Sequence, residues 1–201
     1  MAVTHETRVL GTSEGTSGFL GSIGVRFMVD GESAGERFSL VEHPMSARAL
    51  AAPLHRHNRE DEYSYVIEGR MGALLGEQVL EAGPGDLVFK PRGEWHTFWN
   101  AGDQPCRILE IISPAGFEGF FAELVDLGGV AAATPEVLGA LCGRYALEMD
   151  PSSVPMLPVS LRSPEPPSQK SSERSRLDWT VMKAAARMMM IAAITVAMAE
   201  P

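Results

Sequence analysis

Three of the chain's five histidines fall into one pattern with a glutamate: His55, His57, Glu62 and His96. A His-x-His pair on a β-strand turns both imidazoles to the same face, because strand side chains alternate sides. Two such rings, ~7 Å apart along the strand, can converge on a single ion. Glu62 comes after a short polar corner, Asn58 to Asp61, which lets the chain turn and present a carboxylate at the same point. His96 opens a later strand just after the turn Pro91-Arg92-Gly93. A lone histidine is usually a surface or hydrogen-bonded core residue. Four donors in one spaced set are better explained by a metal. Neutral imidazoles plus one carboxylate suit one divalent ion (Fe, Mn, Ni, Co or Zn) and leave room for water or substrate.

The elements that must position these donors read as strands. Short β-branched or aromatic runs occur at Val25–Val29, Arg37–Val41, Tyr63–Ile67, Gln78–Leu80, Asp86–Phe89 and Arg107–Ile112. Gly69, Gly72, Gly76, Gly83-Pro84-Gly85 and Gly93 punctuate them at close intervals. Many short strands with Gly/Pro turns indicate an all-β sandwich or jelly roll. Strand parity puts Phe98 on the same face as His96 and Asn100, pointing at the site, with Trp99 on the opposite face. Trp95 stands at the corner and is a second candidate for the substrate pocket. Tyr63 and Tyr65 share the face opposite Glu62 and read as core or interface residues.

After Pro114 the period changes. Phe117, Phe120, Phe121, Leu124 and Leu127 keep helical spacing up to Gly128-Gly129. Thr134-Pro135-Glu136 opens a second helix, with Thr134 as N-cap and proline at its first position. Both short helices are expected against the outside of the sheet. Residues 1–21 read as a flexible leader, 22–148 as the barrel with its trailing helices, and 149–201 as a tail. Pro151 to Asp178 holds six prolines and eight serines, too little apolar surface to offset ordering, so disorder is expected there. A weak helix is expected near the end; its uncharged part, Met188 to Ala199, is 12 residues, short of the ~20 that span a bilayer.

The 201 residues suffice for one domain with a core, and the formal net charge of −9 argues against nucleic acid and anionic membrane surfaces as partners. Two cysteines, Cys106 and Cys142, make no disulfide framework, and no apolar signal segment opens the chain. The expected compartment is the cytoplasm and the expected partner a small-molecule substrate.

The donor pattern resembles the cupin superfamily. The first cupin motif, G-x5-H-x-H-x(3,4)-E-x6-G, is met by His55, His57, Glu62 and Gly69, with Ala49 in place of its leading glycine. The second, G-x5-P-x-G-x2-H-x3-N, is met by Gly85, Pro91, Gly93, His96 and Asn100. Asn100 reads as a turn-bonding residue. The resemblance covers roughly Ile23 to Tyr145 and is nearest to small quercetin-dioxygenase-like cupins. It implies a double-stranded β-helix barrel, a three-His, one-Glu metal site and a homodimer. In flavonol-cleaving relatives the glutamate equivalent to Glu62 acts as a base, which makes Glu62 the catalytic candidate here.

Three functions stand as expectations. The first is a dioxygenase acting on a flavonol-like, phenolic or other enolisable molecule. Glu62, which follows a flexible polar turn, would either remain a ligand or, as the reading favoured here has it, leave the ion and take the substrate proton. The second is an isomerase, cyclase or decarboxylase that uses the ion without O2. The third is a non-catalytic small-molecule binder.

Overall fold

The computed structural model describes residues 9–153. The expected disorder and weak helix beyond residue 153 lie outside the described residues. Eleven strands build two antiparallel sheets: β1 (Ser17–Phe19), β2 (Gly24–Val29), β3 (Ser39–Met45), β4 (Leu54–His57), β5 (Asp61–Glu68), β6 (Met71–Leu75), β7 (Gln78–Ala82), β8 (Leu87–Lys90), β9 (His96–Asn100), β10 (Cys106–Ser113) and β11 (Leu147–Asp150). One sheet runs β1-β2-β3-β10-β5-β8 and the other β11-β4-β9-β6-β7. Two helices come after β10, α1 (Glu118–Asp126) and α2 (Pro135–Arg144).

The alternation that makes β10 a half-buried strand is complete: Cys106, Ile108, Glu110 and Ile112 are buried and the residues between them are less so. Val41, Val66, Met71, Ile108 and Ile112 meet from the two sheets as the core. Strand β9 is buried along its whole length, because its outer face is covered as well. There Trp99 packs with Leu54 and Leu74. A Cβ on Gly72 would come within 2.3 Å of the Trp99 ring, so glycine is what allows the indole to lie on β6.

Two boundaries differ from the sequence reading. Within the expected leader, Ser17–Phe19 pairs with Gly24–Arg26 as an edge strand. At the other end β11 pairs with β4, Met149 opposite His55, and Ser153 Oγ accepts from Leu54 N at 2.9 Å. The ordered fold therefore runs past residue 148. A strand of three or four residues has too little sequence to display a period, which is why both were missed.

The helices also sit elsewhere than expected. Thr134 caps α2, its Oγ1 accepting from Val137 N at 3.3 Å, but the helices do not lie on the outer sheet face. Phe120 and Leu124 of α1, with Phe117 just before it, are buried against the barrel interior. The open end of the sandwich exposes inward apolar side chains, and α1 buries them. Among the described residues no helix is long and apolar enough to cross a membrane.

Candidate metal centre

His55 and His57 extend from β4 on one face, with Arg56 turned away from them. The β4·β9 pairing places His55 directly opposite His96. The turn before β9 is tied to β4 by Gly93, whose N–H donates to the His57 carbonyl at 2.7 Å. Gly93 has φ +77°, a conformation L side chains rarely adopt, so this glycine sets the corner that aims His96. Asn100 locks the far end of β9: its amide donates to the Ser46 and Gln104 carbonyls at 2.9 and 2.8 Å.

Glu62 arrives from the other sheet. It is the second residue of β5, just past the polar corner, and Asp61 before it is fastened to Arg92 through the backbone N–H and the guanidinium. These bonds tie down the strand end from which Glu62 extends. Arg92 pins the end of the polar corner, and pairing with β8 and β10 holds Glu62 itself in register.

The four side chains converge. One donor atom from each lies within 4.8 Å of the others, and all four residues are buried. His57 Nε2 is 3.3 Å from Glu62 Oε1, and His96 Nε2 is 3.3 Å from Glu62 Oε2. Ligands ~2.1 Å from a common ion sit ~3.0–3.4 Å apart when neighbouring, so this spacing fits one coordination sphere. Two of the three rings are also held in the right tautomer. His55 Nδ1 lies 2.8 Å from the Pro53 carbonyl and His96 Nδ1 3.0 Å from that of Glu94. A carbonyl only accepts, so Nδ1 carries the proton and Nε2 offers its lone pair inward. His57 Nε2 and His96 Nε2 are buried without a hydrogen-bond partner. Orphaned buried nitrogens facing one carboxylate are what a metal site leaves when viewed without its ion. The cluster could hold a metal ion.

Electrostatics agree with that use. Burial pushes the His57 imidazole down to about 4, with Glu62 working the other way. Burial, with its two neighbouring histidines, holds His55 well below the usual range. Both rings are therefore neutral near pH 7, the form that binds metal. Burial alone would raise Glu62; His57, Lys90 and His96 reverse that and hold the carboxyl well below the usual carboxylate range. With the rings neutral, the standing partner is Lys90. Its Nζ lies 2.8 Å from Glu62 Oε2 and 2.8 Å from Glu110 Oε1. Ser64 Oγ donates to both Glu110 oxygens, at 3.1 and 3.0 Å. Burial pushes Glu110 up to about 7, against the opposing pull of Lys90.

Above the cluster lies a cavity of about 290 Å³, near the lower end for small-molecule sites. Its walls include Phe98, Phe117, Phe120, Phe121 and Leu124, with His43 among them. Phe117 meets the His57 ring edge-to-face at 4.2 Å and stacks on Phe120 at 5.1 Å. Phe98 lines the cavity as its parity indicated, and Trp99 faces away. Trp95 does not line it. Its ring lies under the Arg56 guanidinium, 5.0 Å away, beside the Leu54 cluster. A residue at a corner has no fixed parity, so the sequence could not aim it.

The sequence reading missed Lys90, Ser64, His43 and a buried role for Glu60, which sits 3.9 Å from His57 Nδ1. Glu110 of β10 is buried and points inward to Lys90. Alternation along β5, β8 and β10 could have shown these faces. It could not show that the register sets Glu62 against Lys90 and Ser64 against Glu110.

A cupin domain model matches residues 45–112. The tetracenomycin polyketide synthase protein TcmJ of Streptomyces glaucescens is 31% identical over 132 residues, 62% of this chain and 70% of that protein. The chain belongs to the cupin superfamily. Among solved structures, KdgF from Halomonas sp. is 16% identical with a TM-score of 0.50, covering 57% of this cupin and 99% of that chain. The polyketide cyclase RemF from Streptomyces resistomycificus is 30% identical with a TM-score of 0.48, covering 54% and 80%. The KdgF likeness concerns the fold alone.

Proposed function

We propose that this cupin holds one divalent ion at His55, His57, Glu62 and His96 and closes a ring in a polyketide-like substrate by enolisation, without oxygen. The observation that carries the reading is the pairing of Glu62 with buried Lys90 at 2.8 Å beneath an aromatic-walled cavity. A carboxylate held in this way is a fixed donor rather than a base that leaves. When bound, the ion supplies Lewis-acid polarisation of a carbonyl. The chain's own residues hold that donor set and shape the cavity, and the proton lost on enolisation passes to solvent. Lys90 keeps Glu62 ionised and in place, while Phe117, Phe120 and Phe121 exclude water and give flat apolar carbon a surface to lie on. The relation to TcmJ, a polyketide synthase protein by its name, supports the substrate class.

A dioxygenase acting on a flavonol-like or phenolic molecule is the second reading, favoured by the donor set itself. Three imidazoles and a carboxylate also suit a redox-active ion. Incubating the metal-loaded protein with a poly-β-ketone, aerobically and under argon, separates the two. Equal ring closure in both supports the cyclase. Turnover only with oxygen, with O2 consumed in step, supports the dioxygenase. A protein that binds the compound and turns nothing over under either gas is a binder.

A further inference from the structure

Among the described residues, His43 is the one histidine of the barrel interior outside the metal cluster. It stands on β3, opposite Ile108 of β10, and its side chain is 1% exposed. Its Nδ1 lies 2.9 Å from the Gly24 carbonyl. Only a donor satisfies a carbonyl, so Nδ1 carries the hydrogen and Nε2 is left with a bare lone pair. Among the described residues no protein group is bonded to that nitrogen. The ring meets Phe121 edge-to-face at 5.2 Å and Phe98 at 6.3 Å, and it lines the same cavity as His55, His57 and Glu62. A lone pair on a ring that lines the cavity is a place for a ligand's hydroxyl to donate.

We propose that His43 is a substrate-reading residue, whose Nε2 accepts a hydrogen bond from a phenolic or enolic hydroxyl of the molecule in the cavity. This rests on the cavity being the substrate site of the proposed function, and it names a group that the substrate must carry. Magnitude decides between an acceptor and a base. Burial pushes this imidazole down to about 4, so it holds a proton poorly at neutral pH and works as a permanently neutral acceptor. The bond to Gly24 and the other charged groups acting on it, Lys90 on β8 and Glu62 on β5 of the same sheet and Glu42 on its own strand, are secondary to burial. A wall built this way discriminates. A ligand with the hydroxyl satisfies Nε2, whereas a ligand without it leaves the acceptor dry and unpaired.

The test uses the full chain loaded with zinc and two probes, 2-naphthol and naphthalene. The ratio of their Kd values, compared between variants, cancels the shared transfer of carbon into the cavity. His43→Asn can keep the bond to Gly24 while removing the acceptor at the Nε2 position; His43→Gln puts an amide oxygen near that position. The expected result is a shift of about tenfold against 2-naphthol in His43→Asn, the size of one hydrogen bond, with partial return in His43→Gln. A ratio unchanged in His43→Asn overturns the assignment, as does a wild-type protein that binds neither probe. Ring closure is measured separately, so loss of the cyclase reading with the His43 effect intact, or the reverse, is told apart.

Discussion

Lys90 stands directly opposite Glu62 in the β5·β8 register, and its ammonium lies 2.8 Å from the Glu62 carboxylate. The same ammonium is 2.8 Å from Glu110, and its side chain is fully buried. One cation thus balances two carboxylates beneath the metal cluster. Lys90→Met removes the balance and leaves both acids buried. The expected cost is about 3–5 kcal/mol in the metal-free protein, the usual penalty for breaking a buried pair. Adding zinc should restore part of it, since an ion at the cluster takes over the charge of Glu62. Urea unfolding with and without zinc measures both; a loss under about 1 kcal/mol, the scale of an exposed pair, would sink the account.

The donor set was legible because its chemistry and its geometry are both written locally. His55 and His57 are two residues apart on one strand, and Gly93 and His96 share one turn. Phe98 was legible for the same reason, since parity carries from His96. Lys90 and His43 were not. Each lies on the inward face of its strand, but which inward residues meet is decided by pairing between strands far apart in sequence. The position of α1 failed for a related cause: helical period reveals that a face is apolar, not that a barrel mouth awaits it.

Single ligand removals should empty the site without unfolding the barrel, whose core of Val41, Val66 and Ile108 keeps its apolar packing. His55→Ala and His96→Ala are expected to weaken zinc binding by more than about 100-fold, beyond what loss of a group that merely orients a ligand costs. Competition with a chelating dye gives the affinity, and circular dichroism checks the fold. Variants that bind zinc as tightly as the wild type would show that the ion sits elsewhere.

Acid should destabilise the metal-free protein before it reaches the usual carboxylate range. His43 and His57 titrate near 4 when folded, against 6.5 for an ordinary histidine in the unfolded chain. Between these values the unfolded chain binds more protons, so their stabilising share is full above pH 6.5 and lost as pH falls towards 4. Each accounts for about 3 kcal/mol at most over that window. His55 acts in the same direction. Glu110, pushed up to about 7, takes up its proton in the folded state and offsets about one histidine. The histidines outnumber it, so the melting temperature of chelator-treated protein should drop between about pH 7 and 4.5. A flat or rising trend would contradict the buried neutral rings.

Phe117 holds the His57 ring at 4.2 Å and is itself 2% exposed. Phe117→Ala should cost about 3–5 kcal/mol, the range for deleting a buried phenyl ring. It should also slacken the orientation of His57, so zinc affinity falls although no donor has been touched. Phe120 stacks on Phe117 and packs against Phe121 and Tyr145, with no ring contact to His57 among the described residues. Phe120→Ala should therefore cost stability with little change in zinc affinity. Equal effects of the two on zinc would remove any special positioning by Phe117.

Glu62→Gln separates a fixed donor from a base that leaves. The amide keeps the shape of the carboxylate but carries no charge, so Lys90 retains only Glu110 as its partner. If Glu62 is a fixed donor, the loss falls on the ion: zinc affinity drops by about tenfold or more, as a neutral amide is a poorer ligand. Turnover should then recover when metal is supplied in excess, because no proton passes through this side chain. If Glu62 instead leaves the ion to act as base, metal content survives and turnover falls by about 10²-fold, with no rescue by added metal. The pinned corner at Asp61–Arg92 and the 2.8 Å contact with Lys90 both oppose the swing that the base role needs. Rescue by metal is therefore the expected outcome. Its absence, in a variant shown to be folded and fully loaded, would return the mobile base and with it the oxygen-dependent reading.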